Sequence, residues 1–169
     1  LDLGVVRLAL DELRRRPGQY AINLSAETVA DWTFHRTLLE LLRGQPDIRG
    51  RLWVEVPIYG AVNHVDAFRA LCAELKQLGC KVGLEQFGRK LGEIDKFADL
   101  GIDYVKIDPS FVSGIEDNPG HQELLRGLCR MVRGIGILTI AVGVRSQAEL
   151  DTLQGLGIDA VTGPLVREG

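Results

Sequence analysis

An α/β fold built on a parallel sheet is predicted by two features of this 169-residue sequence. Short apolar strands alternate with helical stretches, and polar residues stand at the strand ends. The strand segments are Tyr20-Ala21-Ile22-Asn23, Leu52-Trp53-Val54-Glu55, Lys81-Val82-Gly83-Leu84-Glu85, Tyr104-Val105-Lys106-Ile107-Asp108 and Leu138-Thr139-Ile140-Ala141-Val142. A helix between successive strands implies parallel pairing and burial on both faces. Two architectures satisfy that pattern. One is a doubly wound sheet. The other is a β/α barrel without its first part, because a complete barrel needs eight such units and about 250 residues. In a barrel the strand C-termini converge on one face, where chemistry or binding occurs. Asn23, Glu55, Glu85, Lys106 and Asp108 are therefore candidate site residues, and the fifth strand ends instead on Val142.

The elements follow in order. Leu3, Val6, Leu10 and Leu13 form one helical stripe over 2–16, which Pro17-Gly18 ends. A strand at 20–24 precedes Ser25, a cap or turn residue. Residues 34–43 read as a helix ended by Gly44, and strand 52–56 runs into Pro57, which has no N–H for a ladder. Val65, Phe68, Leu71, Cys72, Leu75 and Leu78 mark an amphipathic helix over 64–78, closed by Gly79. Strand 81–85, a helix around 92–99 closed by Gly101, and strand 104–107 come next. Asn118-Pro119-Gly120 turns into a helix over 121–134 with Leu124, Leu125, Leu128, Met131, Val132 and Ile135 on its apolar stripe. Strand 138–142, helix 147–155 closed by Gly157, and a strand over 159–162 complete the reading. The phrases Leu78-Gly79, Leu100-Gly101 and Leu156-Gly157 recur at helix-to-strand junctions, where glycine permits a left-handed cap.

Composition excludes several classes. Hydrophobic residues make up 46% and charged residues 25%, which is a globular and not a disordered balance. A net charge of -3 gives no long-range attraction to nucleic acid or an anionic membrane, so neither is an expected partner. No apolar run approaches the ~20 residues of a membrane span. Cys72, Cys80 and Cys129 are odd in number and lack CxxC spacing, as buried thiols of a reducing compartment would be. His35, His64 and His121 show no metal-ligand spacing and read as surface or cap residues.

Four segments together carry a resemblance: Asn23-Leu24-Ser25-Ala26, Glu85-Gln86-Phe87-Gly88, Val105 to Val112, and Ala141-Val142-Gly143-Val144-Arg145. In order and spacing they resemble the landmarks of EAL domains, the bacterial cyclic-di-GMP phosphodiesterases, over essentially the whole chain. The resemblance implies a TIM-like (β/α) barrel of the EAL type. The strands that carry the Glu-Ala-Leu signature are not among these residues. Residues 1–169 are therefore read as the C-terminal larger part of one EAL-like domain. The family's metal-binding Asn falls on Asn23, the next Glu on Glu55 and the catalytic Lys on Lys106. Its paired aspartates fall on Glu85 and Gln86, and the two glutamates after the later strand fall on Val142 and Arg145. A Thr and a Glu become Pro57 and Ile58, and the Gln before the final Gly becomes Thr162.

These departures carry chemical weight. Two-metal hydrolysis needs hard oxygen ligands that clamp both cations. Gln86 is neutral, Val142 has no lone pair, and Arg145 adds positive charge; Glu85 shifts its carboxylate by a methylene. The expectation is a catalytically inactive domain without a metal, in which Glu55, Glu85 and Lys106 are remnants of the catalytic set. Phosphates can be held without metal by Arg and Lys. The expected ligand-binding residues are thus Asn23, Glu55, Glu85, Gln86, Arg89, Lys106, Asp108 and Arg145, with Lys90 nearby. Such a domain is similar to degenerate EAL receptors for cyclic-di-GMP. The Gln86-to-Arg89 loop and the Thr162-Gly163-Pro164 ending resemble the LapD-type inner-membrane receptors. That likeness implies a cytoplasmic-side module, attached domains such as GGDEF, and a possible homodimer, with the membrane reached only through other domains. Two alternatives stand beside it: an active or weakly active Mg or Mn phosphodiesterase, and a nucleotide-independent protein-interaction pseudoenzyme. Asp108 as a cap for the Ser110 turn is an equal rival to its ligand role.

Overall fold

The strand order decides between the two architectures. The computed structural model describes residues 2–89 and 91–166. Its strands are β1 (Tyr20–Asn23), β2 (Leu52–Pro57), β3 (Lys81–Phe87), β4 (Tyr104–Ile107), β5 (Leu138–Val142) and β6 (Ala160–Thr162). They lie in one sheet in the sequential order β1-β2-β3-β4-β5-β6. A doubly wound sheet reverses its order at a switch point; this one never does. The β1–β2, β4–β5 and β5–β6 pairs are all parallel, with Asn23 opposite Glu55, Lys106 opposite Ile140 and Val142 opposite Thr162. The chain packs as two units, residues 1–84 with 95–102, and residues 85–94 with 103–169.

The first unit holds α1 (Asp2–Arg15), α2 (Ala26–Ala30), α3 (Trp32–Arg43), α4 (Ile58–Asn63) and α5 (Val65–Gln77). Val6, Leu10 and Leu13 of the predicted α1 stripe are buried. Arg51 closes that helix by donating to the Leu13, Arg16 and Gly18 carbonyls. Strand β2 is buried at five of its six positions, as a parallel strand covered on both faces should be. Phe68, Leu71, Cys72 and Leu75 of α5 are buried, and Phe68 meets Phe97 edge-on at 5.7 Å. Two short helices were not expected. Ser25 caps α2, its hydroxyl accepting from the Thr28 amide, so the expected cap does occur but opens a helix. Pro57 ends β2 as expected and also opens α4. The predicted helix around 92–99 is a 3-10 segment, Leu91–Phe97. His35 departs from its surface reading: it is buried, its ring edge-on to Trp32 at 5.3 Å, and its Nε2 has no partner.

The second unit holds α6 (Pro109–Val112), α7 (Pro119–Gly134) and α8 (Gln147–Leu156). Asn118 caps α7 by accepting from the His121 amide at 3.0 Å. Leu125, Leu128, Cys129 and Val132 form its buried face, whereas Met131 and Ile135 of the expected stripe are exposed. Gly157 ends α8 at φ +92, the left-handed cap predicted at that junction, and Gly79 and Gly101 likewise have positive φ. All three cysteines are buried free thiols, as expected.

Candidate functional site

In the first unit, parallel register brings two of the candidates together. Asn23, the last residue of β1, and Glu55, two residues before the end of β2, are Cα partners, and the Leu24 amide donates to the Glu55 carbonyl at 2.9 Å. The Asn23 residue is exposed, whereas Glu55 is buried.

In the second unit, the strand ends carry two cation–carboxylate pairs. Lys106 Nζ lies 3.6 Å from Glu85 Oε1, with both side chains largely shielded. Arg89 Nε lies 2.8 Å from Asp108 Oδ2; the guanidinium is mostly exposed and the carboxylate is not. The other oxygen of Asp108 accepts from the Ser110 amide at 2.9 Å and from its hydroxyl at 2.6 Å. The capping role expected for Asp108 is therefore present, and it opens α6. Burial pushes the Asp108 carboxyl up, but the Ser110 donors and the Arg89 guanidinium outweigh it and hold the group below the ordinary carboxylate value.

Backbone geometry explains why the Glu85–Arg89 segment turns where it does. Strand β3 runs on to Phe87, two residues beyond the predicted end. Gln86 sits at φ +56, the only non-glycine residue with positive φ among those described. Gly88 follows at φ +119, and a Cβ there would stand 2.8 Å from the Phe111 ring. The Asp108 amide donates to the Phe87 carbonyl at 2.9 Å, tying this turn to the start of α6. Lys90 lies outside the described residues.

At the end of β5 the backbone folds tightly onto β6. The Gly143 and Val144 amides both donate to the Thr162 carbonyl, at 2.8 and 3.0 Å. Val142 is half-buried and offers no lone pair, and Arg145 is exposed. The carboxylate of Glu149 accepts from the Arg145 amide at 2.7 Å and the Gly114 amide at 3.0 Å. Neither Glu149 nor Ser110 stood among the expected residues. A Ser146-x-x-Glu149 capping box was the signal for the former.

The donors at these strand ends are mixed in kind. Among the described residues no three His, Cys, Asp or Glu side chains converge on one point. Glu85 faces an ammonium, Gln86 supplies an amide, and Val142 supplies nothing. Arg89 and Lys106 supply counter-charge to Asp108 and Glu85.

Comparisons with known proteins agree on one family. The family model described as EAL domain matches residues 1–168. Among curated proteins, the cyclic di-GMP phosphodiesterase PdeF of Escherichia coli is 26% identical over 148 residues, covering 88% of this chain. The match takes up 20% of that relative, so the chain spans about a fifth of its length. The EAL domain of Xanthomonas citri FimX, solved in complex with c-diGMP, superposes with a TM-score of 0.86 at 26% identity, covering 98% of this chain and 67% of that one. The S helix-GGDEF-EAL part of Vibrio cholerae LapD, bound to c-di-GMP, superposes with a TM-score of 0.92 at 24% identity, covering 98% and 41%.

Proposed function

The chain belongs to the EAL domain family and has its TIM-like (β/α) fold, and from that premise we propose that it is a catalytically silent receptor for cyclic-di-GMP. The observation that carries this reading is the pairing of Lys106 with Glu85 and of Arg89 with Asp108. A metal site needs its carboxylates free to coordinate cations. Here Glu85 and Asp108, the carboxylates near the strand ends of the second unit, each have a protein cation beside them.

Nucleotide binding asks less of the same residues. Each phosphate of a cyclic dinucleotide is an anion that Arg or Lys can hold. The Arg89 guanidinium is mostly exposed, so solvent screens its pair with the shielded Asp108 carboxylate. It can therefore turn to a phosphate at small cost while the Ser110 donors keep Asp108 satisfied. Lys106 and Arg145 are proposed as the further phosphate contacts, and Asn23, Glu55, Glu85 and Gln86 as polar contacts. No cofactor enters this reading. The complex of the 26%-identical FimX domain supports the ligand, and the GGDEF domain of the LapD protein supports attached domains as partners. A second copy of the chain is a further proposed partner. Three buried free thiols accord with a reducing, cytoplasmic-side location. No helix among the described residues is long and apolar enough to cross a membrane.

A metal-dependent phosphodiesterase is the second reading, favoured by the similarity to PdeF and by the pairing of Asn23 with Glu55. Calorimetric titration of cyclic-di-GMP in EDTA, followed by an assay for linear dinucleotide with Mg²⁺ or Mn²⁺, separates the two. Binding in EDTA without product supports the receptor. Product formation overturns it in favour of the enzyme. A flat titration moves the weight to a nucleotide-independent interaction module.

A further inference from the structure

We infer that Glu149 is a positioning residue: its carboxylate joins the backbone of two strand-end loops and so fixes Arg145 for ligand contact. The inference rests on the receptor reading above. One loop leaves β4 at Asp108, runs through α6 and reaches Gly114. The other leaves β5 at Val142 and reaches Arg145. Glu149 lies on α8, outside both. Its Oε1 accepts from the Gly114 amide at 3.0 Å and its Oε2 from the Arg145 amide at 2.7 Å. The two loops also lie close together, since a Cβ on Gly143 would stand 3.6 Å from Pro109.

A buried carboxylate is costly unless its lone pairs are satisfied. Glu149 is 5% exposed, and the Arg145 amide above all holds its carboxyl below the ordinary value against burial, helped by the Gly114 and Ser146 amides. Capping the helix does not need this arrangement. Ser146 Oγ already accepts from the Glu149 amide at 3.1 Å, which caps the first turn of α8. The contacts to Gly114 and Arg145 reach beyond the helix. They leave the Arg145 backbone with one set of dihedrals, so that its exposed guanidinium starts from a fixed root. The consequence for binding is pre-organisation, which lowers the ordering cost of ligand capture.

The test compares Glu149→Gln, Ser146→Ala, Arg145→Ala and the Glu149→Gln/Arg145→Ala double variant by amide hydrogen exchange and by cyclic-di-GMP calorimetry. In Glu149→Gln the Gly114 and Arg145 amides are expected to lose protection together while the Leu153 and Leu156 amides of α8 keep theirs. Affinity is expected to fall about five- to tenfold, and the double variant to bind no more weakly than Arg145→Ala alone. Ser146→Ala weakens the helix cap and is expected to leave the Arg145 amide and the affinity as they were. Retained protection at Arg145 in Glu149→Gln overturns the inference, as do additive losses in the double variant. If the wild-type protein binds no cyclic-di-GMP, the receptor reading falls, and the exchange measurement still decides whether Glu149 joins the loops.

Discussion

Two residues, one near the end of β3 and one just after it, are held in backbone conformations that side chains rarely adopt. Gln86 at φ +56 is one of them. Left-handed backbone costs a residue with a Cβ about 1–2 kcal/mol, so Gln86→Gly is expected to stabilise the fold by up to about 1 kcal/mol. A lower denaturation midpoint in that variant would contradict the assignment. Gly88 is the opposite case, because φ +119 and a Phe111 ring at 2.8 Å exclude a methyl group. Gly88→Ala is expected to cost about 1–3 kcal/mol in chemical denaturation. Adding Phe111→Leu is expected to recover part of that loss, since the shorter side chain leaves room. These two positive φ values turn the chain just before Arg89, whose guanidinium meets Asp108. That pairing could not be read from the sequence, because it depends on two positive φ values that no local pattern announces. Glu85 and Lys106, by contrast, were legible from simple β/α alternation as residues near the C-terminal ends of β3 and β4.

At the scale of elements, caps do more than hydrophobic periodicity to set the boundaries. Asp31 both ends α2 and starts α3, its carboxylate accepting from the Thr33 and Phe34 amides at 2.8 and 3.1 Å. Asp31→Ala is expected to destabilise the protein by about 0.5–2 kcal/mol, measured by urea denaturation, and an unchanged midpoint would remove the cap from the account. The sequence reading placed the start of α3 at residue 34 because the apolar stripe begins there, whereas the cap lies three residues earlier. It missed α2, α4 and α6 for a related reason. Helices of 4 to 6 residues are too short to show a 3.6-residue period, and each is defined by its first residue: Ser25, Pro57 or Asp108. On α7 the period was visible but misleading in width. Met131 and Ile135 extend the apolar stripe past the strip that the sheet covers, and both stay exposed.

For the whole molecule, acid stability is expected to fall in two separate windows. In the first unit, burial lowers the affinity of His35 for a proton, against the opposing pull of the Val29 carbonyl and the Asp31 charge. Its folded value lies below the ordinary 6.5, so the unfolded chain binds the proton first as pH falls. The stability tied to neutral His35 is therefore full above pH 6.5 and is lost as pH drops towards the folded value. In the second unit, Asp108, Glu149 and Asp159 are all held below their ordinary values. Asp159 is kept ionised, despite partial burial, by the Thr139 amide and hydroxyl, both at 2.8 Å, and by Arg133. These carboxylates contribute above the ordinary values of 3.8 and 4.5, and that contribution is lost as pH falls through their lower folded values. Urea unfolding followed from pH 8 to 3 is thus expected to show a first decline below pH 6.5 and a second below about pH 4. His35→Leu should flatten only the first decline, because it removes the group that must take up a proton while keeping an apolar side chain in its place. Asp159→Asn should reduce only the second. A His35→Leu protein that keeps the full slope between pH 6.5 and 5 would show that the buried imidazole is not its source. Residual slope below pH 4 in Asp159→Asn would then contain the shares of Asp108 and Glu149 at the strand ends, together with that of Asp99, which the Arg69 hydrogen bond also holds below its ordinary value.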